Sequence, residues 1–236
     1  MINLIHIKND LKQVFRDPIM SILMLAPLLI IIIFKLLIVF LFPFIATKFN
    51  FDLSLYYQYL MAGILILISG MLGIVIGFMM LDDKDGNIAQ LMAVTPLGRS
   101  GYLFNRLSFS SVLCFFYSII AIYVLNIIDI PFYSILILSL LSGVYSIIIG
   151  LLIFSGADDK VKGLTFAKGL NMLGIFAFSD LFALNWFSIL SLIFPTYWIT
   201  RIIDSPHSIS AIMLGTSIHA IWLIYLIYRY LSQKQT

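Results

Sequence analysis

Charged side chains are scarce in this sequence: Asp, Glu, Lys and Arg make up 11% of its 236 residues, and every acidic residue is an aspartate. Soluble domains usually carry about 25% charged residues, so this composition excludes a soluble fold. Hydrophobic residues account for 62% of the chain, and the mean hydropathy is +1.09. Such values are typical of proteins that reside in a lipid bilayer.

The sequence also lacks the short motifs of several enzyme classes. It contains no G-x-x-x-x-G-K-[ST] phosphate-binding loop, so we expect the chain to bind no ATP by itself. Neither G-x-S-x-G nor H-E-x-x-H occurs, and the three histidines, His6, His207 and His219, lie in different regions. The single cysteine, Cys114, excludes an intrachain disulfide. We therefore expect no cofactor or metal ion on this chain.

Six long apolar segments fill most of the chain, and each is long enough to cross a hydrocarbon core about 30 Å thick. The predicted spans are 19–45, 57–81, 103–128, 131–154, 164–184 and 211–231. The expected fold class is all-α, a single transmembrane domain of six helices over residues 1–236. Lys and Arg concentrate in one set of loops, which predicts a multi-pass protein with both termini in the cytoplasm. The net charge of +3 follows from this bias and indicates no nucleic-acid partner.

Two further segments have apolar residues that suit a membrane surface without crossing it. Residues 2–16 place Leu4, Ile7, Leu11 and Val14 at steps of three and four, which predicts an interfacial amphipathic helix. This helix is either a membrane anchor or a partner-binding element, and its pattern alone favours the anchor. Residues 185–199 are apolar but too short to cross, which predicts a re-entrant hairpin on the outer side.

The loop between the second and third spans, residues 82–97, is predicted to form a short cytoplasmic helix. Its apolar face has three residues at helical spacing: Ile88, Leu91 and Met92. Three aspartates are expected to cap its first turn, and two residues are expected to end it: Asp82, Asp83 and Asp85, then Thr95 and Pro96. Because aspartates suit an anionic lipid surface poorly, we interpret this helix as a docking point for a protein partner.

The same loop suggests an enzymatic alternative. Asp82 and Asp85, followed by Gly86, resemble the start of the metal-binding motif of CDP-alcohol phosphatidyltransferases, which are integral membrane enzymes. That family continues with Arg where this chain has Gln90, and it needs two further aspartates in the next span. Residues 103–128 contain no acidic residue. A membrane-embedded enzyme that modifies lipids is therefore kept only as the alternative function.

Small residues recur at helical spacing in two spans, where they allow close helix packing. In the second span they are Gly63, Gly70, Gly73 and Gly77, and in the fourth they are Ser139, Gly143, Ser146 and Gly150. We expect the small residues of the fourth span to pack against helices of the same subunit, whereas the glycines of the second span suit a subunit interface equally well.

Two charged residues lie in or near the predicted spans. Lys35 lies within the first span, where we expect its side chain to extend towards the membrane surface, and Asp180 is left without an assigned partner.

Four segments spread over nearly the whole chain share their pattern with a known family. They are residues 16–18 with Pro27, residues 82–106, residues 160–164 with Lys168, and residues 195–198. The second is the most specific, although Asp83 stands where many members have Glu. On these segments the chain resembles the type-2 permeases of ATP-binding-cassette (ABC) exporters, in particular the small six-span subgroup that includes fluoroquinolone export permeases.

The resemblance implies one subunit of a multidrug-efflux transporter in a bacterial plasma membrane. Two permease subunits, identical or different, would form the pathway among membrane lipids. Two cytosolic ABC ATPase subunits, which carry ATP and Mg, would grip the interfacial helix and the coupling helix at residues 82–97. The scarcity of buried charge favours a lipophilic or amphipathic substrate.

The resemblance also implies roles for individual residues of the second and fifth spans and of the outer hairpin. The expected dimer-interface and pathway residues are Gly70, Gly73, Gly77, Phe78, Asn171, Phe176 and Phe178. The expected outer gate consists of Trp186 and Phe187. The expected ATPase-coupling residues are those of the cytoplasmic loop helix and its aspartates.

Overall fold

The computed structural model describes residues 4–86, 88, 91, 98–182 and 184–232, and within these ranges it contains helices and no strand. The α-helices are α1 (Leu4–Arg16), α2 (Pro18–Leu36), α3 (Phe42–Phe49), α4 (Tyr57–Asp85), α5 (Gly98–Leu125), α6 (Phe132–Gly156), α7 (Lys160–Asn171), α8 (Asn185–Ser191), α9 (Pro195–Asp204) and α10 (Ile209–Ser232). A π-helical stretch, Leu37–Leu41, joins α2 to α3. Two 3-10 helices, Leu53–Tyr56 and Met172–Phe182, precede α4 and follow α7.

Among the described residues, five helical segments are long and apolar enough to cross a membrane, which confirms the all-α integral membrane class. They are Pro18–Phe49, Leu53–Asp85, Ser100–Leu125, Phe132–Gly156 and Ile209–Ser232. Asp17 starts the first of them, because its carboxylate accepts hydrogen bonds from the free amides of Ile19 and Met20 at 2.9 and 3.2 Å.

The predicted fifth span differs from the others, because α7 is followed by a 3-10 helix and forms no single long α-helix. Its contacts nevertheless run antiparallel along α4. Gly163 lies beside Phe78, Asn171 beside Gly70, and Phe178 beside Gly63. Phe78 and Gly63 are separated by about 22 Å at 1.5 Å per residue, so this segment traverses most of the same layer as α4.

The centre of the bundle is α4, which packs most closely against α6. A Cβ atom on Gly73 would lie 2.7 Å from Ile149, and one on Gly77 would lie 2.8 Å from Ile153. From the other side, a Cβ on Gly150 would lie 2.6 Å from Ile76. The two helix backbones therefore approach as closely as glycine permits. The small residues of the fourth span serve packing within the subunit, as predicted.

The structure corrects the expected start of the coupling helix. Asp82, Asp83 and Asp85 do not cap a new helix, because α4 continues through all three and Gly86 follows as its C-cap. Acidic residues in a last helical turn are unfavourable towards the helix dipole. Asp82 and Asp83 are neutralised by cations from other helices, as described below, which removes much of this penalty.

Candidate functional site

The end of the bundle that carries Arg16, Asp85 and Gly98 is called the inner end here, and the opposite end the outer end. Asp83 is fully buried at the inner end. It accepts two hydrogen bonds from the Arg106 guanidinium, at 2.6 Å from Nε and 2.7 Å from Nη2. The hydroxyl of Tyr102 donates a third, at 2.6 Å. The remaining Arg106 amine binds Asp10 of α1. This first ion network therefore joins α1, α4 and α5.

Asp82 belongs to a separate network only one residue away. Its carboxylate lies 2.8 Å from Nζ of Lys160, the first residue of α7, and Lys160 also binds Asp17 between α1 and α2. Partial burial raises the pKa of Asp17, but hydrogen bonds from Lys160 and from the amides of Met20 and Ile19 outweigh that effect and lower the pKa below its ordinary value. The second network joins the start of α2 to α4 and α7.

The two networks hold the interfacial helix against three membrane helices. Beside them a cavity of about 660 Å³ opens between the end of α1 and α4, lined by Lys12, Gln13, Arg16, Asp17, Pro18, Ile19 and Asp82. Asp10 of α1 binds Arg106 in the first network, and Asp17, directly after α1, binds Lys160 in the second. Both networks therefore fix the position of α1 at the inner end.

Of the two residues that the structure describes between Gly86 and Gly98, one has a clearly exposed apolar side chain. Leu91 is helical and 65% exposed, whereas Ile88, also helical, is half-buried. Asp85, at the end of α4, is exposed. Met92, Thr95 and Pro96, which were predicted to complete this site, lie outside the described residues.

At the outer end, the predicted hairpin consists of α8 and α9, which are bent by 103° at the break between them. Its tip reaches the middle of the bundle. The indole of Trp222, midway along α10, donates a hydrogen bond to the carbonyl of Ile193 at 2.9 Å. Trp198 donates likewise to Leu192 at 2.9 Å. Backbone carbonyls at membrane depth must be satisfied within the protein, and these two indoles satisfy the hairpin tip.

Aromatic rings connect this hairpin to the fifth span. Phe176 stacks on Phe194 with centroids 3.8 Å apart and lies 5.4 Å from Phe187. Phe187 in turn contacts Trp186 and Phe182, at 5.7 and 5.5 Å. The structure therefore brings together Phe176, predicted as a pathway residue, and both residues of the predicted outer gate.

The other predicted pathway residues fall into two groups. Asn171 and Phe178 face α4, where the absence of a side chain on Gly70 and Gly63 makes room for them. Phe78 is fully buried beside Gly163, and Gly73 and Gly77 are enclosed against α6. Packing within the subunit explains why Phe78, Gly73 and Gly77 are buried. Their predicted contact with a second subunit stays a prediction.

The sequence interpretation gave no role to the cations of the two networks. Arg106 and Lys160 were noticed only as parts of matching segments, although both stand where an apolar span begins or ends. That position is itself a signal, because a charge close to the membrane core requires a partner. Asp180 lies 3.7 Å from Arg201 of α9, and Lys35 donates to the carbonyl of Leu125 at 3.3 Å, near the outer end of α5.

Comparison with known proteins identifies the family of this arrangement. The profile of the family described as "Fluoroquinolones export permease protein Rv2686c-like" matches residues 10–227, and so includes both ion networks and the hairpin. The chain belongs to this family. Membership in an export permease family makes it a multi-pass transporter subunit rather than an enzyme.

Two curated relatives of this export permease family come from Mycobacterium tuberculosis. They are the Fluoroquinolones export permease proteins Rv2686c, of strain ATCC 25618 / H37Rv, and MT2760, of strain CDC 1551 / Oshkosh. Each is 25% identical over 234 residues, covering 96% of this chain and 92% of the relative. No solved structure matches the chain.

Proposed function

We propose that this chain is the membrane-spanning permease subunit of an ATP-driven ABC exporter, which moves a lipophilic or amphipathic substrate outward. A separate cytosolic ATPase supplies the energy and carries ATP and Mg. Two permease subunits, identical or different, form the pathway. The relatives are named as fluoroquinolone export permeases, and fluoroquinolones are amphipathic aromatic acids, so they are the first substrates to test.

The observation that carries this proposal is the inner end of the bundle. The exposed Leu91 comes six residues after Asp85 in the sequence. Ion pairs connect the segment Asp82–Asp85 to α1, α5 and α7. A partner that binds Leu91 and moves it pulls on the end of α4. Because Arg106 and Lys160 connect α4 to its neighbours, that displacement is passed to several spans. Such a connection is what a coupled ATPase requires.

The aspartates of the inner end favour this function over phosphoryl-transfer chemistry. Asp82 binds Lys160 and Asp83 binds Arg106, so the two carboxylates serve different cations. A divalent ion held for catalysis needs several oxygen ligands that converge on one point. The described part of the chain brings no three metal-ligating side chains together.

The test is reconstitution of the full chain in liposomes with a candidate ABC ATPase encoded beside it. We expect the ATPase to co-purify with the permease and to drive outward movement of norfloxacin only with ATP. The matched control is the same ATPase with its catalytic base replaced, which should bind but not transport. ATP hydrolysis by the permease alone, or norfloxacin movement that is indifferent to ATP, would refute the proposal.

A further inference from the structure

The cavity at the inner end contains two cations that belong to neither ion network. Lys12, Gln13 and Arg16 all line it, and they lie within about 100° of one another around α1. Lys12 and Arg16 are exposed. Within the described part of the chain, no carboxylate lies at ion-pair distance from either of them. The protein therefore leaves these two charges without a counter-charge.

The two carboxylates that line the same cavity already have a cation. Asp17 and Asp82 both bind the ammonium group of Lys160, and Asp17 also accepts hydrogen bonds from two amides at the start of α2. With Lys160 included, three cations stand beside two carboxylates, so the site has one positive charge in excess. A monoanion balances that excess. Guanidinium and ammonium groups, as in Arg16 and Lys12, are the side chains that proteins use to bind phosphate.

The cavity lies at the level of phospholipid headgroups. Pro18 and Ile19, which also line it, are the first residues of the apolar segment Pro18–Phe49. The headgroups of a bilayer lie directly outside its hydrocarbon core, so a cavity at the start of a membrane span opens among them. Basic pockets at this level attract anionic lipids.

An exposed apolar face leads from the cavity along α2. Four side chains that are 46–66% exposed lie within about 80° of one another around this helix: Ile19, Ile22, Leu29 and Ile33. Almost none of the most apolar stretch of the segment Pro18–Phe49 is buried within the chain. Such a face is as apolar as acyl chains and packs against them in a bilayer. A ligand with its phosphate in the cavity can therefore lay a hydrocarbon chain along α2.

We infer that the cavity binds the phosphate of an anionic phospholipid, such as phosphatidylglycerol, and that an acyl chain of this lipid lies along the exposed face of α2. Lys12 and Arg16 bind the phosphate oxygens, and the amide of Gln13 supplies a further donor. A zwitterionic lipid brings its own cation and leaves the excess charge of the site unbalanced. This lipid site goes beyond the proposed function, because it depends neither on the transported molecule nor on the ATPase.

The experiment measures lipid binding to the purified full chain in dodecyl maltoside by native mass spectrometry. The probes are dioleoylphosphatidylglycerol, which is anionic, and dioleoylphosphatidylcholine, which is zwitterionic. We expect the wild type to bind the anionic lipid at least about tenfold more tightly. Lys12→Gln combined with Arg16→Gln should weaken binding of the anionic lipid about tenfold, and should change binding of the zwitterionic lipid less than about twofold, because only the charge-assisted contacts are lost.

The matched control is Lys84→Gln combined with Arg229→Gln. It removes two exposed cations near the inner end that do not line the cavity, and it should change either affinity less than about twofold. The inference is overturned if both double variants lose affinity equally or if the wild type binds the two lipids alike.

Two other occupants give different results. If glycerol phosphate, which has no acyl chain, displaces the anionic lipid at a similar concentration, the cavity is a site for soluble phosphate. If the cavity variant keeps the lipid but no longer co-purifies with the ATPase, Lys12 and Arg16 bind a protein instead. Either result overturns the inference. Because lipid binding is measured without the ATPase or nucleotide, a failure of ATP-driven export leaves its outcome unchanged.

Discussion

At the inner end of the bundle, ions hold the helices together, whereas at the outer end aromatic rings and single hydrogen bonds do so. Arg106 binds the fully buried Asp83 through two hydrogen bonds no longer than 2.7 Å. At the outer end the contacts of Arg201 with Asp180 and Asp204 are both 3.7 Å long and partly exposed. The hairpin is held instead by the stack of Phe176 on Phe194.

This difference separates two mechanical tasks. Short, buried ion pairs resist displacement, because breaking one leaves a charge without a partner in a low-dielectric environment. Stacked rings slide and separate at lower cost, because no charge is exposed when they part. We therefore expect the ion-paired inner end to move as a rigid body when the partner binds, and the outer hairpin to be the part that changes conformation.

The largest effect is expected from removing the cation of the first network. Arg106→Gln leaves Asp83 buried without its ion pair, and breaking a buried pair typically costs about 3–5 kcal/mol. We expect a large drop in the thermal unfolding temperature of the detergent-solubilised chain. The double variant Arg106→Leu with Asp83→Leu should recover part of that loss. An unchanged unfolding temperature in Arg106→Gln would show that the inner end is not held by this pair.

A smaller effect, confined to partner binding, is expected at Leu91. Burial of such a side chain in a partner contributes roughly 1.5–3 kcal/mol, so Leu91→Asp should reduce co-purification of the ATPase at least about tenfold. The fold should not change, because Leu91 is exposed in the isolated chain. The control is Leu29→Asn on the open face of α2, which should retain the ATPase. Full retention by Leu91→Asp would mean that this helix rests on lipid.

At the outer end we expect Phe176→Leu to loosen the hairpin without unfolding the bundle. Each aromatic pair contributes about 0.5–1.5 kcal/mol beyond its buried area, and Phe176 takes part in pairs with Phe187 and Phe194. Amide hydrogen exchange in α8 and α9 should therefore accelerate, while exchange in α4 stays as in wild type. Equal acceleration in both regions would contradict a yielding outer end.

The smallest effect is expected for Arg201→Gln. Its two ion contacts are long and partly exposed, and such pairs contribute about 1 kcal/mol or less. The unfolding temperature should fall slightly at low ionic strength, and the difference from wild type should shrink at high salt, because salt screens exposed charges. A loss comparable to that of Arg106→Gln would abolish the contrast between the two ends.

Much of the fold and part of the candidate site follow from local sequence patterns. The apolar runs predicted five of the six expected spans, because about 20 apolar residues suffice to cross a bilayer. The exception is 164–184, where α7 is followed by a 3-10 helix, and the short run at 185–199 predicted the hairpin. The start of the coupling helix was predicted wrongly. Asp82 and Asp83 look like caps when only their neighbours in sequence are considered, yet they end α4. Met92, Thr95 and Pro96 stay predictions.

The sequence by itself determined that this is an all-α membrane protein, because hydrophobic length and the lack of charge act locally along the chain. Only the tertiary structure decided which charges meet. Arg106 and Asp10 are 96 residues apart, and Lys160 and Asp17 are 143 apart, so no local period links them. It also decided that Lys12 and Arg16 line one cavity together with Asp82, since a cavity depends on which helices pack beside one another.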